Sequence, residues 1–211
     1  MDSKGILIVV SGFSGSGKGT LMKVLLEKYD NYALSISATT REPREGEVDG
    51  QHYFYKTTEE FEKMIAKDEL IEYARYVNHY YGTPRKYVEE QLESGKDVIL
   101  EIEIQGALKV KNKFPNTLLL FVTPPDAKTL ERRLVGRGTE TADVIKSRML
   151  RAAEESDGMD AYDYLIINDD IEVCRDEVHQ IIQSEHSRCS RNEEFIKQIR
   201  AELKGNLKGE L

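Results

Sequence analysis

The sequence predicts an α/β fold in which a parallel sheet is covered by helices on both faces, on three observations. Short β-branched apolar runs recur at Ile6 to Val10, Val98 to Leu100, Leu118 to Val122 and Leu165 to Ile167. These runs are continuous rather than alternating, the pattern of strands buried on both faces. Segments of helical period separate them, so successive strands connect by crossovers and lie parallel.

Taken in order, the first run is a strand, and the glycine-rich segment Gly12-Phe13-Ser14-Gly15-Ser16-Gly17-Lys18-Gly19-Thr20 opens a helix over about 18–28. Ser35 to Tyr81 breaks the rhythm with alternating pieces, His52-Tyr53-Phe54-Tyr55 and Leu70-Ile71-Glu72-Tyr73-Ala74, around one short helix. Thr57-Thr58-Glu59-Glu60 starts that helix with a capping box, Thr57 facing Glu60. The pattern reads as a small mixed α/β insertion, mainly antiparallel, on the parallel core. Helices follow over about 84–94, 126–135, 141–157, 170–187 and 191–203, and Gln105-Gly106 reads as a further helix start. Val135-Gly136-Arg137-Gly138-Thr139-Glu140-Thr141 is glycine-rich and polar between two helices, as a mobile lid would be.

A chain of 211 residues suits one core with small insertions. Nothing approaches the roughly 18 uninterrupted apolar residues of a membrane span, and no secretory cleavage pattern precedes Ile6, so the expected place is the cytoplasm. A net charge of −8 argues against nucleic acid as a partner. Arginines nonetheless cluster at Arg41 and Arg44, and again at Arg132, Arg133, Arg137, Arg148 and Arg151, which suits small anionic ligands. Cys174, His179, His186 and Cys189 do not make a zinc site, because along one helix they extend over about 22 Å. They read as structural.

Gly12 to Thr20 satisfies G-x-x-x-x-G-K between a strand and a helix, the context of a P-loop. Its glycines let successive N–H groups point inward, the helix adds the positive end of its dipole, and Lys18 supplies a point charge to the β and γ phosphates. The expected architecture is therefore a three-layer fold of the P-loop NTPase type. At the position that usually holds Mg²⁺ through a hydroxyl stands Gly19, with Thr20 one residue later. Either Thr20 takes part in holding the metal, or water and the nucleotide complete its coordination.

The run Ser35-Ile36-Ser37-Ala38-Thr39-Thr40-Arg41-Glu42-Pro43-Arg44-Glu45-Gly46-Glu47-Val48-Asp49-Gly50-Gln51-His52-Tyr53-Phe54 resembles the GMP-binding signature of the guanylate kinase family. Ile71-Glu72-Tyr73-Ala74, Tyr80-Tyr81-Gly82-Thr83, Leu100-Glu101-Ile102-Glu103-Ile104-Gln105-Gly106, Gly136 to Thr141, Tyr162-Asp163-Tyr164 and Asn168-Asp169-Asp170 agree with it, so the resemblance covers roughly residues 5–190. It implies a Mg²⁺-dependent transfer of the ATP γ-phosphate to GMP, and to dGMP as well. It also implies a core of 1–36, 87–135 and 151–211, a GMP-binding unit of 37–86 and a lid of 136–150.

The residue types make chemical sense in those roles. Arg41 and Arg44 can grip a monophosphate bidentately, with the hydroxyls of Tyr53 and Tyr81 as further donors. By resemblance Glu72 reads guanine, since a carboxylate accepts from N1–H and the 2-amino group, whereas adenine has an unprotonated N1. Ser37 and Thr83 would complete that pocket. Glu101 and Glu103 share one face near a strand's carboxyl end, where such sheets bind ligands. The family more often has aspartate at the second of these positions, so Glu103 would meet GMP or a metal-bound water from a longer arm, while Glu101 joins Thr20 as a candidate metal ligand, directly or through water. Arg133, Arg137 and Arg148 resemble the lid arginines that close over the triphosphate, and Asn168 would lie at the adenine site or serve simply as a polar helix N-terminal residue. Oligomeric state has no signature in the sequence.

Overall fold

A computed structural model of the chain describes residues 4–76, 78–136 and 141–209. Five parallel strands form one sheet in the order β2-β7-β1-β8-β9: β1 Leu7–Gly12, β2 Tyr32–Leu34, β7 Asp97–Glu101, β8 Leu118–Thr123 and β9 Tyr164–Ile167. A second, four-stranded sheet in the order β4-β3-β6-β5 is built from β3 Ala38–Thr39, β4 Phe54–Tyr55, β5 Leu70–Tyr76 and β6 His79–Pro84. In it β6 runs antiparallel to both β3 and β5, and β3 pairs parallel with β4.

Alternation along the central strand explains the three layers. Ile8 and Val10 of β1 face a core made with α1 Lys18–Lys28 and α7 Ile171–His186, through Leu21, Leu25, Cys174, Val178 and Ile182. Val9, one residue out of phase, faces the opposite core, with Val88 of α3 Arg85–Glu93 and Ala107 and Val110 of α4 Ile104–Lys113. Each fully buried aliphatic side chain contributes about 1.5–3 kcal/mol, so both faces of this strand must be covered. A third cluster joins Phe13 and Phe121 to α5 Ala127–Val135 and α6 Ala142–Ser156.

α2 Thr58–Ala66 begins with the expected capping box, both reciprocal bonds of Thr57 and Glu60 being formed. The expected helices over 84–94, 126–135, 141–157 and 170–187 each lie within a residue of α3, α5, α6 and α7 at both ends, whereas α8 Glu193–Gly209 starts later and runs longer than 191–203. Two elements go beyond the sequence pattern. β2 has only three residues and gains its strand character by pairing with β7. The full extent of α4 is hidden by its five lysine, glycine and asparagine interruptions, although Gly106, Ala107 and Val110 form its buried face.

No helix among the described residues is long and apolar enough to cross a membrane. Cys174 is buried in the core and Cys189 is exposed. His179 stacks on Tyr29 at 3.7 Å between centroids and shares a 2.6 Å hydrogen bond with the Tyr32 hydroxyl, and His186 bonds the buried Asp97 at 2.9 Å. Cys174, His179 and His186 thus serve packing or helix docking.

Candidate active site

The phosphate loop leaves β1 at Gly12 and enters α1 at Lys18. A Cβ at Gly12 would stand 2.0 Å from the Val122 carbonyl oxygen of β8, and Gly17, at φ +93°, would place one 2.4 Å from Asn168 Nδ2. Close approach and a left-handed turn therefore require glycine at both ends. The Lys18 ammonium donates to the carbonyls of Gly12 at 2.6 Å and Phe13 at 3.1 Å, curling over the loop. Phe13 turns its ring into the core, edge-on to Phe121 at 5.1 Å, leaving its backbone to the loop. Ser16 Oγ is buried and finds no hydrogen-bond partner among the described residues.

Three side chains brace the loop from outside. Asn168 Nδ2 donates to the Ser16 carbonyl at 2.8 Å, Arg133 donates to the same oxygen at 3.2 Å and to the Asn168 carbonyl at 2.9 Å, and Arg148 donates to Ser14 Oγ at 2.7 Å. Asn168, 4% exposed, and Arg133 thus hold the loop's shape from beneath, while Arg148 fastens α6 to its outer side. Gly19 and Thr20 are exposed in the first turn of α1, and Gly15 is part of the same turn into the helix. Arg137 lies outside the described residues.

Beside the loop, β7 ends on Glu101, whose register partner in β1 is Val10. Desolvation pushes the Glu101 carboxyl upward, and the Lys18 ammonium opposes that shift. Glu103 occupies the N-cap position of α4 without capping it. Its carboxylate instead accepts from Arg151 of α6 at 2.7 Å.

The second sheet carries two further groupings. Arg41, just after β3, donates to Glu47 Oε1 at 2.9 Å and to the Glu42 carbonyl at 2.7 Å. Its guanidinium lies over the rings of Tyr53 at 5.4 Å and Tyr55 at 6.0 Å, and Tyr53 meets Tyr81 at 6.0 Å. Glu47 also accepts from the Tyr55 hydroxyl at 2.8 Å and from the Arg44 backbone at 2.7 Å, and these donors hold its carboxyl down at about 2. Arg44 joins this network by its main chain while its side chain is exposed.

Glu72 forms the other grouping. It sits on β5, 8% exposed, with Oε1 accepting from Thr83 Oγ1 at 2.9 Å. Its Oε2 lies 3.2 Å from where a Cβ on Gly106 would be, so glycine in α4 makes room for the carboxylate. Burial pushes the Glu72 carboxyl upward, against the Thr83 hydrogen bond and the Lys109 charge. Ser37, at the start of the same sheet, accepts from the Phe54 N–H through its carbonyl at 2.9 Å.

The residues expected from sequence thus fall into three groups: Lys18 with Ser14, Ser16, Arg133, Arg148 and Asn168; Arg41 with Tyr53 and Tyr81; and Glu72 with Thr83. Sequence reasoning missed Glu47 and Tyr55, and it counted Arg151 only within an arginine cluster, without its partner Glu103. Glu47 reads as one more acid in the charged segment from Arg41 to Asp49, and only the fold brings it back onto Arg41.

Comparison with known proteins agrees with this geometry. The family model described as guanylate kinase matches residues 4–185. A guanylate kinase of Oceanobacillus iheyensis is 52% identical over 196 residues, covering 93% of this chain and 95% of that one. One of Bacillus subtilis is 52% identical over 187 residues, covering 88% and 92%. The crystal structure of guanylate kinase from Anaplasma phagocytophilum superposes with a TM-score of 0.72 at 34% identity, covering 90% of each chain. With a phosphate loop, an arginine–tyrosine cluster and a buried carboxylate on its second sheet, the chain belongs to the guanylate kinase family.

Proposed function

We propose that the chain transfers the terminal phosphate of ATP to GMP, giving ADP and GDP, in the cytoplasm. The observation that carries the acceptor assignment is Glu72, a buried carboxylate on β5 with one oxygen held by Thr83 and the other facing a glycine of α4. A guanine base offers two donors, N1–H and the 2-amino group, to such an acceptor pair. Adenine would leave it facing the lone pair of N1, and an unpaired buried carboxylate is costly enough to discriminate by orders of magnitude. The roughly 50% identity to curated guanylate kinases supports the same reading.

In this reading residues 37–86 are the acceptor unit and 136–150 the lid on a core of 1–36, 87–135 and 151–211. Arg41, stiffened by Glu47 and by stacking on Tyr53 and Tyr55, grips the GMP phosphate together with Arg44, Tyr53 and Tyr81, while Ser37 and Thr83 border the base. The loop Gly12 to Thr20 wraps the donor phosphates, with its shape held by Asn168 and Arg133. Lys18, Arg137 and Arg148 neutralise the transferring group. The attacking oxygen belongs to a phosphate already ionised near neutral pH, so positioning and charge suffice and no base is required. None of these residues is assigned to the ribose 2′-hydroxyl, and dGMP is an acceptor as well.

The donor set fits a magnesium ion. Glu101 and Thr20 offer oxygen at the mouth of the loop, and a carboxylate crowded beside Lys18 is stabilised in its ionised form by a nearby cation. Among the described residues no three His, Cys, Asp or Glu side chains converge on one point. Magnesium suits that situation, since it keeps several waters and is held by one or two protein groups plus substrate phosphates. A magnesium ion would supply positive charge to the β and γ phosphates, and Glu101 and Thr20 would hold it directly or through water, while Glu103 would meet GMP on the acceptor side.

The test is ADP release measured with ATP and each nucleoside monophosphate in turn. GMP should support turnover far above AMP, CMP and UMP. No ADP release with GMP, together with efficient use of another monophosphate, would overturn the proposal.

A further inference from the structure

Two arginines stand three residues apart on the face of α6 that meets the phosphate loop. Arg148 is fastened to Ser14. Arg151 is not called for by any phosphate-site motif, yet it borders a cavity of about 330 Å³ whose walls include Gly12, Ser14, Lys18 and Arg148. In the structure its guanidinium is engaged by carboxylates, donating to Glu103 Oε2 at 2.7 Å and to Glu155 Oε1 at 2.9 Å. The Glu103 side chain is 65% exposed and that of Arg151 42%.

An exposed carboxylate holds an arginine weakly. A guanidinium fork binds phosphate oxygens with the geometry it uses on a carboxylate, and a triphosphate presents more charge than Glu103 does. Glu103 also leads into α4, whose Gly106 lies against the Glu72 carboxylate. The pair therefore joins α6 to the acceptor side of the cleft. We propose that Arg151 is a further phosphate-binding residue of this cleft, held back by Glu103 and released to the donor phosphates when GMP engages Glu103. The inference rests on the acceptor role given to Glu103 above. Its consequence is coupling: each substrate tightens the other, and the factor is the same in both directions.

The experiment is calorimetric titration of the full chain with the imido (β–γ N–H) analogue of ATP, with and without saturating GMP, for wild type, R151Q, R151K and E103Q. In wild type GMP should tighten analogue binding by about five- to tenfold. E103Q frees Arg151, so it should tighten analogue binding in the absence of GMP by a similar factor while weakening GMP. At saturating GMP R151Q should weaken the analogue about five- to tenfold, and without GMP it should bind it about as wild type does, so the difference GMP makes is erased; R151K should fall between. Opposite signs for E103Q and R151Q are the signature, since loss of a merely structural ion pair moves both variants the same way. Unchanged analogue affinity in R151Q at saturating GMP, or weaker analogue binding in E103Q, overturns the role of Arg151. A wild-type protein that binds the analogue but never phosphorylates GMP overturns the acceptor assignment instead.

Discussion

Replacing Glu72 by Gln should separate base recognition from folding, because the same burial that makes the carboxylate selective makes it a burden on the fold. The carboxylate is 8% exposed, and among the described residues its one side-chain donor is Thr83 at 2.9 Å, which leaves acceptor capacity for two guanine N–H groups. Gln keeps one acceptor and turns an NH₂ toward a guanine donor. Losing two charge-assisted bonds, partly offset by the remaining carbonyl, removes about 3–5 kcal/mol, or roughly two to four orders of magnitude in kcat/KM for GMP. ATP affinity should hold within about threefold, since nothing in the phosphate loop touches Glu72.

Stability should move the other way. Burial raises the Glu72 carboxyl above its ordinary value of 4.5. Between that value and the raised one the native state keeps a proton that the unfolded chain has lost, so Glu72 makes stability fall as pH rises through this window. E72Q abolishes that component, and at neutral pH it should melt no lower than wild type. Steady-state kinetics with GMP and thermal melts at pH 5 and 8 read both effects. A loss below tenfold for GMP, or an equal loss in ATP affinity, would refute the reasoning.

Three other substitutions probe the remaining groups. Lys18→Met removes the charge over the phosphate loop and should lower kcat by roughly a thousandfold while the melting temperature changes little, as single-turnover kinetics would show. Glu47→Gln loosens Arg41 and should raise KM for GMP on the order of tenfold with a smaller change in kcat, a split that steady-state assays resolve. The Glu47 carboxyl is held at about 2, so the pairing that braces Arg41 is complete above pH 4.5 and fails as pH falls from 4.5 toward 2. Thr57→Ala removes the N-cap of α2 and should cost about 1 kcal/mol, a drop of roughly 2–4 °C in Tm.

The legible parts of this protein are those whose signal is local. The phosphate loop, the four longer parallel strands and the Thr57 capping box follow from spacing alone, because a glycine turn, a continuous apolar run and a three-residue cap are each set within a few residues. The short strand β2 is different: Tyr32, Ala33 and Leu34 are extended because Asp97, Val98 and Ile99 lie beside them. The partners of Glu47 and Arg151 were opaque for the same reason. An acid six residues from Arg41 and an arginine 48 residues from Glu103 acquire partners only when loops close and α6 docks on the cleft. Asn168 shows a subtler limit. Resemblance offered the adenine site or a plain helix N-terminal role, while its bond to the Ser16 carbonyl, which makes it a brace, depends on Gly17 lacking a side chain.

The central claim is direct phosphoryl transfer between two nucleotides, and the measurement that tests it most directly follows the phosphate itself. With ATP labelled in its γ-phosphate and GMP as acceptor, the label should appear in GDP, and AMP, CMP or UMP should accept it at least about a hundredfold more slowly. Label released as inorganic phosphate, or passed as readily to AMP as to GMP, would contradict the account.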